Sequence, residues 1–242
     1  MKICKRIVAV LMAILMVSSL FAVIPTASAA TVITNPDIIG KKDYKIKNPY
    51  GTVNWDTWKI YRTATHIHSN ISDGDVDFAD MVEAYYDEGY DAISMTDHGT
   101  VNYGWSKSKS RHAIFAYQAA VHGEARGVSN SRASEMASGI GRGGQHMTDI
   151  KYGNELNGAC LKKVHINNFF GDAGDGYMGM AETWPTSAVE KSHNAGGITH
   201  LNHIGEWSGA DEDITVYDND FISDLADIFE TYSSCVGMEL VN

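Results

Sequence analysis

Residues 59–100 read KIYRTATHIHSNISDGDVDFADMVEAYYDEGYDAISMTDHGT, and they predict a strand, a helix and a second strand in succession. The first strand covers residues 60–68. In the predicted helix, residues 77–88, the apolar side chains of Ala79, Val82 and Tyr86 recur at helical spacing. The second strand, residues 91–96, has the composition of a buried sheet. Strands that alternate with helices indicate an α/β protein with a parallel sheet or barrel.

The rest of the chain repeats this alternation after a longer interruption. Helices are predicted at residues 107–122, 131–137, 187–194 and 220–233, and strands at residues 149–156, 161–167, 198–202 and 236–241. A chain of 242 residues suffices for one barrel-sized domain. We therefore expect a single α/β domain over residues 59–242, preceded by an extended arm over residues 30–58.

The first 29 residues have the pattern of a secretory signal peptide. Lys2, Lys5 and Arg6 precede an apolar run over residues 7–24, and an Ala-Ser-Ala motif ends at Ala29. The alternative is an uncleaved signal anchor, because an apolar run of this length can just span a bilayer. Either pattern predicts an exported, secreted or cell-envelope protein with no other membrane contact.

The chain is acidic, with 19 Lys and Arg against 30 Asp and Glu and a formal net charge of −11. Nucleic acids and anionic membranes bind positively charged surfaces, so stable nucleic-acid binding is not expected. After the signal peptide only Cys160 and Cys235 remain, which form either one bridge or two thiols. The ten histidines are the unusual feature of this composition.

Histidines and carboxylates follow the first two predicted strands. His66 and His68 are two residues apart on a strand, so both imidazoles point to the same face. Asp73 lies in a Ser-Asp-Gly loop shortly after them, and Asp97 and His98 end the second strand. Sites in α/β proteins are built at the carboxyl ends of strands. Because imidazole and carboxylate are ligands of Zn, Mn and Fe, this pattern predicts a metal site.

These two segments resemble the first two motifs of the PHP domain, the polymerase and histidinol phosphatase superfamily. Later segments are similar to strands that carry further metal ligands in that family: YGNEL with Glu155, KVHI with His165 and GGITHLNH with His203. The resemblance implies a distorted (β/α)7 barrel. The family's last motif, an Asp-x-His, is missing before Asn242, so we expect a barrel that is truncated at its C-terminus.

The resemblance also implies two or three divalent metal ions, Zn, Mn or Fe, with Glu155 as a bridging ligand. The implied ligands are His66, His68, Asp73, His98, Glu155, His165 and His203. One ion would be held by Glu155, His165 and His203. A second would be held by His66, His68 and Glu155, and a third by Asp73 and His98. Asp97 is expected to orient a neighbouring imidazole, and His200 to pack or hydrogen-bond beside the ligands; neither is expected to bind metal.

The activity implied by the resemblance is hydrolysis of a phosphomonoester or phosphodiester by metal-activated water. Its substrate would be a phosphorylated small molecule or a nucleotide-like compound. Two alternatives stay open: hydrolysis of a non-phosphate bond on the same barrel, and a degenerate PHP module that binds without catalysis. The segment between His98 and Glu155 is longer than in many family members and is a candidate lid or substrate wall. Nothing in the sequence indicates an oligomeric state.

Overall fold

The computed structural model describes residue 48 and residues 50–158, 164–174, 178–179, 185–204 and 219–239. The predicted signal peptide, most of the predicted arm (residues 30–47 and 49) and Cys160 lie outside the described residues. Among the residues that are described, no helix has both the length and the apolar character needed to cross a bilayer.

The first half of the described chain forms a three-stranded parallel sheet. Strands β1 (Thr63–Ala64), β2 (Ala92–Ile93) and β3 (Thr148–Asp149) lie in this order and are all parallel. Helix α1 (Phe78–Asp87) connects β1 to β2. The long connection from β2 to β3 contains a 3-10 turn and two helices: Ala113–Phe115, α2 (Tyr117–His122) and α3 (Asn130–Ser138).

The second half forms a five-stranded mixed sheet with the strand order β6-β4-β5-β7-β8. Its strands are β4 (Asn154–Gly158), β5 (His165–Phe169), β6 (Met178–Gly179), β7 (Ile198–Asn202) and β8 (Cys235–Met238). Helix α4 (Thr186–Asn194) precedes β7, and helix α5 (Asn219–Thr231) precedes β8. One further parallel bridge, between His98 and Glu155, joins the segment after β2 to β4.

The predicted parallel sheet is wrong at β5, which runs antiparallel to both β4 and β7. Only residues 159–164 connect β4 to β5, and a parallel crossover needs a dozen or more residues. The β4–β6 and β7–β8 pairs are parallel, as predicted for this class. The described strands thus form a mixed α/β architecture in two sheets, and they do not show a closed (β/α)7 barrel.

The five-stranded sheet separates an apolar face from a polar one. Leu156, Ile166 and Leu201 lie side by side and form a buried core with residues of α4 and α5. Because side chains alternate along a strand, the intervening residues face the other way. These are buried polar residues: Glu155, Asn157, His165, Asn167 and Asn202. The sheet therefore carries a buried polar surface, which is where the candidate site lies.

Helix α1 forms as the sequence predicts and belongs to a second core. The Asp77 side chain accepts a hydrogen bond from the Ala79 backbone N–H and caps the helix, and Gly89 follows its end with a φ of +82°. Val82 and Tyr86 are buried with Ile67 in the same apolar cluster. Ile67 therefore faces the core, while His66 and His68 on either side of it face away.

Several predicted elements are wrong in their boundaries. The strands predicted at residues 60–68 and 91–96 are paired only over Thr63–Ala64 and Ala92–Ile93, so His66 and His68 lie after β1 and not on it. The helix predicted from residue 107 begins only at Tyr117, because the serine-rich segment before it is held by tertiary contacts. Lys109 Nζ lies 3.7 Å from the centre of the Phe78 ring, and Arg111 Nη2 donates to the Asn70 carbonyl at 2.7 Å. The strand predicted at residues 149–156 is split into β3 and β4 by Tyr152, which has a φ of +62°.

Candidate metal centre

A cavity of about 570 Å³ lies where the ends of both sheets meet, and only histidines and carboxylates line it among the described residues. The segment after β1 provides His66, His68 and Asp73, and the segment after β2 provides His98. Strand β5 is antiparallel, so its first residue, His165, reaches the same edge as the last residues of β7. The lining residues are His66, His68, Asp73, His98, Glu155, His165, His203 and Glu239.

The Glu155 carboxylate is the centre of this cavity and is fully buried. Its Oε1 atom is 3.3 Å from His66 Nε2, 3.2 Å from His165 Nδ1 and 3.3 Å from His203 Nε2. The Asn202 amide donates to the same oxygen at 2.7 Å. One buried carboxylate oxygen therefore faces three imidazoles that come from three different parts of the chain.

The second Glu155 oxygen, Oε2, lies 2.8 Å from His68 Nε2 and 2.9 Å from His98 Nδ1. Both Glu155 Oε2 and His68 Nε2 are buried, and their close contact lacks the angles of a hydrogen bond. Buried polar atoms without well-formed hydrogen bonds are costly, so a ligand is expected at such a point. The atoms left unsatisfied are an imidazole nitrogen and a carboxylate oxygen, which are the donor types that Zn, Mn and Fe take.

Asp73 connects the two imidazoles that face Glu155 Oε2, those of His68 and His98. Its Oδ1 atom is 2.7 Å from His68 Nδ1, and its Oδ2 atom is 3.2 Å from His98 Nε2. Gly74 makes this loop turn tightly, because a Cβ at that position would lie only 2.8 Å from the His68 carbonyl oxygen. The Asp73 carboxylate is thereby returned to the segment that carries His68.

Three groups of side chains bring their ligand atoms within 4.8 Å of one another. They are His66 with Glu155 and His203, His68 with Asp73 and His98, and His98 with Glu155 and His165. The structure thus brings all seven predicted ligands together. The grouping differs from the one that the resemblance implies, in which His66 and His68 share one metal ion and His165 and His203 share another.

The charges in the cavity are strongly coupled. Burial alone would lower the pKa of His66, His68 and His98, but contacts with the Glu155, Asp73 and Glu239 carboxylates outweigh it and raise each pKa to about 9. Burial alone would raise the pKa of Glu155, but the surrounding imidazoles hold it well below its ordinary value. Without bound cations the cavity therefore carries imidazolium charges that balance its carboxylates.

The two residues predicted to support the ligands lie beside the cavity. Asp97 accepts hydrogen bonds from the Ser69 backbone N–H at 2.7 Å and from the Ser72 hydroxyl at 3.0 Å. Asp97 therefore holds the loop that carries Asp73. The predicted partner of Asp97 was an imidazole. His200 Nδ1 is 3.0 Å from Asn202 Oδ1, so it reaches Glu155 only through the Asn202 amide.

The sequence reasoning missed Glu239, Asn157 and Asn202. Glu239 directly follows β8, and a carboxylate just after a strand is the same signal that singled out Asp97 and His98. Asn157 lies beside the His98 ring, with its Nδ2 atom 2.9 Å from His98 Nδ1. Asparagines carry no such signal, because their contribution depends on the register between β4, β5 and β7.

Two of the solved structures that are similar to part of this chain are described as metal-dependent phosphoesterases. One is a two-domain protein from Bacteroides vulgatus described as containing a predicted PHP-like metal-dependent phosphoesterase. The match has 20% identity and a TM-score of 0.38, and it covers 74% of this chain and 44% of that one. This chain therefore spans less than half of that protein. The other is a candidate metal-dependent phosphoesterase from Bifidobacterium adolescentis. That match has 12% identity and a TM-score of 0.41, and it covers 74% of this chain and 77% of that one.

No family model matches the chain, and no curated protein matches it. TM-scores of 0.38 and 0.41 are too low to assign a fold family. The chain is thus similar in part to proteins described as metal-dependent phosphoesterases, and its own family is not assigned by these comparisons.

Proposed function

We propose that this protein is an exported, metal-dependent phosphoesterase of the PHP type that uses two or three divalent cations. The observation that carries the proposal is the convergence of five histidines on one buried carboxylate, Glu155. A fully buried carboxylate surrounded by imidazoles, with the pKa values of both strongly shifted, is typical of a site that binds a cation or performs chemistry.

The geometry supports at least two complete sites. A neutral imidazole has a single lone pair, so His98 can ligate through one nitrogen only. Two ions can each take a full group without sharing an imidazole: one at His66, Glu155 and His203, and one at His68, Asp73 and His98. His165 then remains beside Glu155 Oε1, in a third group that shares His98 and Glu155 with the other two.

The role of the chain itself is to hold these ligands in place. The Asn202 amide fixes Glu155 Oε1, and Asp97 fixes the loop of Asp73 through Ser69 and Ser72. Bound divalent cations would lower the pKa of a coordinated water and neutralise charge on a phosphoryl group. The chain contains no Gly-x-Ser-x-Gly nucleophile motif, which is consistent with water as the nucleophile.

The proposal is tested with the full chain loaded with Mn²⁺ or Zn²⁺ and assayed on para-nitrophenyl phosphate and its bis-ester. We expect metal-dependent release of para-nitrophenol from at least one of them. Hydrolysis of carboxylic ester or amide substrates alone would instead support the non-phosphate hydrolase. Metal binding without turnover of any substrate would support the non-catalytic module. The matched control is Glu190→Gln, a carboxylate removed from the exposed face of α4.

A further inference from the structure

Among the described residues that line the cavity, Glu239 belongs to none of the three metal groups, and the resemblance does not make it a ligand. It is the first residue after β8, and its side chain is 18% exposed. Its two carboxylate oxygens contact two different residues. Oε1 lies 2.6 Å from His66 Nδ1, and Oε2 accepts a hydrogen bond from the His203 backbone N–H at 2.9 Å.

The first contact fixes which nitrogen of His66 carries the proton. An ionised carboxylate can only accept hydrogen bonds, and without metal each His66 nitrogen faces one: Glu239 at Nδ1 and Glu155 at Nε2. When a metal replaces the proton on Nε2, the 2.6 Å contact with Glu239 keeps the remaining proton on Nδ1. The lone pair of a neutral His66 is then on Nε2, the atom that lies 3.3 Å from Glu155 Oε1. A metal-ligating histidine commonly donates its other N–H to a carboxylate in this way, which fixes its tautomer and ring orientation.

The second contact holds a strained backbone. His203 has a φ of +31°, a conformation that residues other than glycine seldom adopt. Such a conformation persists only where the surroundings enforce it. Glu239 Oε2 binds the backbone N–H of this residue, whose ring presents Nε2 to Glu155 Oε1 at 3.3 Å.

We propose that Glu239 is the positioning residue of the metal group formed by His66, Glu155 and His203. Through one carboxylate it sets the tautomer of His66 and the backbone of His203, which come from segments of the chain that are far apart in sequence. It is given a positioning role and not that of a ligand, because it belongs to none of the three groups whose ligand atoms lie within 4.8 Å of one another. This inference rests on the proposed function insofar as that function requires metal ions.

The test is a Co²⁺ titration of the full chain, followed by visible absorption, which reports both affinity and coordination geometry. We expect Glu239→Ala to weaken Co²⁺ binding about 10- to 100-fold and to change the spectrum, as loss of such partners typically does. Glu239→Gln should be intermediate, because an amide has one acceptor oxygen and can serve only one of the two donors. Glu190→Ala, on the exposed face of α4, should bind Co²⁺ like the native chain.

A double substitution separates positioning from general damage. With His66→Ala already present, the loss of affinity caused by Glu239→Ala should be smaller, because one of the two contacts no longer exists. An equal loss in both backgrounds would contradict action through His66. If Glu239→Ala does not fold, as judged by circular dichroism, the effect of Glu239→Gln on Co²⁺ affinity is compared in the native and His66→Ala backgrounds instead.

The two proposals fail in different ways. A native chain that binds no Co²⁺ refutes the metal-dependent function, and the role of Glu239 falls with it. A native chain that binds Co²⁺, with Glu239→Ala matching it in affinity and spectrum, refutes only the positioning role.

Discussion

The Glu155 carboxylate shows how single residues determine this site. It has no exposed surface, and five imidazoles and one amide surround its two oxygens. The polar residues around it come from β4, β5, β7 and the segments after β1 and β2, so no local sequence pattern specifies the whole arrangement. Glu155 and His98 each belong to two of the three groups, but Glu155 also contacts all five imidazoles, so the account depends on it most.

Substitution of Glu155 by Gln should remove two of the three metal groups and leave His68, Asp73 and His98. We expect the metal content, measured by mass spectrometry after loading, to fall to at most one ion per chain. Phosphoesterase activity should fall by about 100-fold or more, since even the partners of ligands cost about 10- to 100-fold. Unchanged metal content would remove Glu155 from the site. Glu190→Gln provides the matched control.

Protons and metal ions compete for the same imidazoles, so metal affinity should depend on pH. The pKa of His66, His68 and His98 is raised to about 9 when no metal is bound. These imidazoles must lose protons on ligation, and binding becomes more favourable as pH rises toward 9. In calorimetric titrations, affinity should therefore still increase between pH 7 and pH 8.5. A plateau above about pH 7, as for histidines with the ordinary pKa of about 6.5, would contradict the coupling.

At the scale of the elements, the position of Glu155 depends on how closely β4 approaches the segment after β2. Gly153 directly precedes β4, and a Cβ there would overlap the Met95 carbonyl and the Ser94 hydroxyl. The Gly99 N–H donates to the Glu155 carbonyl at 3.0 Å, which ties the same two segments together. The close approach at Gly153 therefore brings Glu155 beside His98.

Substitution of Gly153 by Ala should force these two segments apart. We expect a loss of about 1–3 kcal/mol in the free energy of unfolding, measured with urea, as is usual for overpacking. Metal affinity should fall too, because Glu155 is two residues away. Gly51→Ala is the control, since the nearest atom to its added Cβ, the Asn48 carbonyl oxygen, is 3.4 Å away. Native stability and affinity in Gly153→Ala would show that the approach is not needed.

Elements with a strong local signal were predictable, and those shaped by distant contacts were not. Helix α1 follows from its apolar spacing, the Asp77 cap and Gly89. The residues before Tyr117 were predicted as helix, but Lys109 and Arg111 are instead engaged with other parts of the chain. Strand β5 runs antiparallel to β4 because the connection between them is too short for a parallel crossover. The expectation of a parallel sheet did not take the length of this connection into account.

At the scale of the whole molecule, the net charge of −11 opposes the approach of anionic substrates. Salt screens this repulsion, since the Debye length falls from about 30 Å at ~0.01 M to about 8 Å at ~0.15 M ionic strength. We therefore expect kcat/KM for phosphate esters to rise over this range of potassium chloride. The increase should be larger for a dianionic monoester than for a monoanionic diester. A decrease with salt for both substrates would indicate a local positive field that dominates the net charge.

Much of the candidate site could be predicted from the sequence, because His66, His68, Asp73 and His98 follow strands within one short stretch. Glu155, His165 and His203 were predicted from the resemblance, and the structure places them in the same cavity. Their grouping, however, depends on which strands are neighbours and in which direction they run. Glu239 was missed for the same reason: its partners, His66 and His203, become neighbours only when the strand ends meet.

The central claim is that divalent cations bind among these imidazoles and carboxylates, and anomalous X-ray diffraction from crystals grown with Mn²⁺ tests it most directly. The account predicts at least two anomalous peaks in the cavity. One should lie about 2.0–2.3 Å from atoms of His66, Glu155 and His203, and one at a similar distance from atoms of His68, Asp73 and His98. Crystals that contain Mn²⁺ elsewhere, with no peak among these six residues, would contradict it.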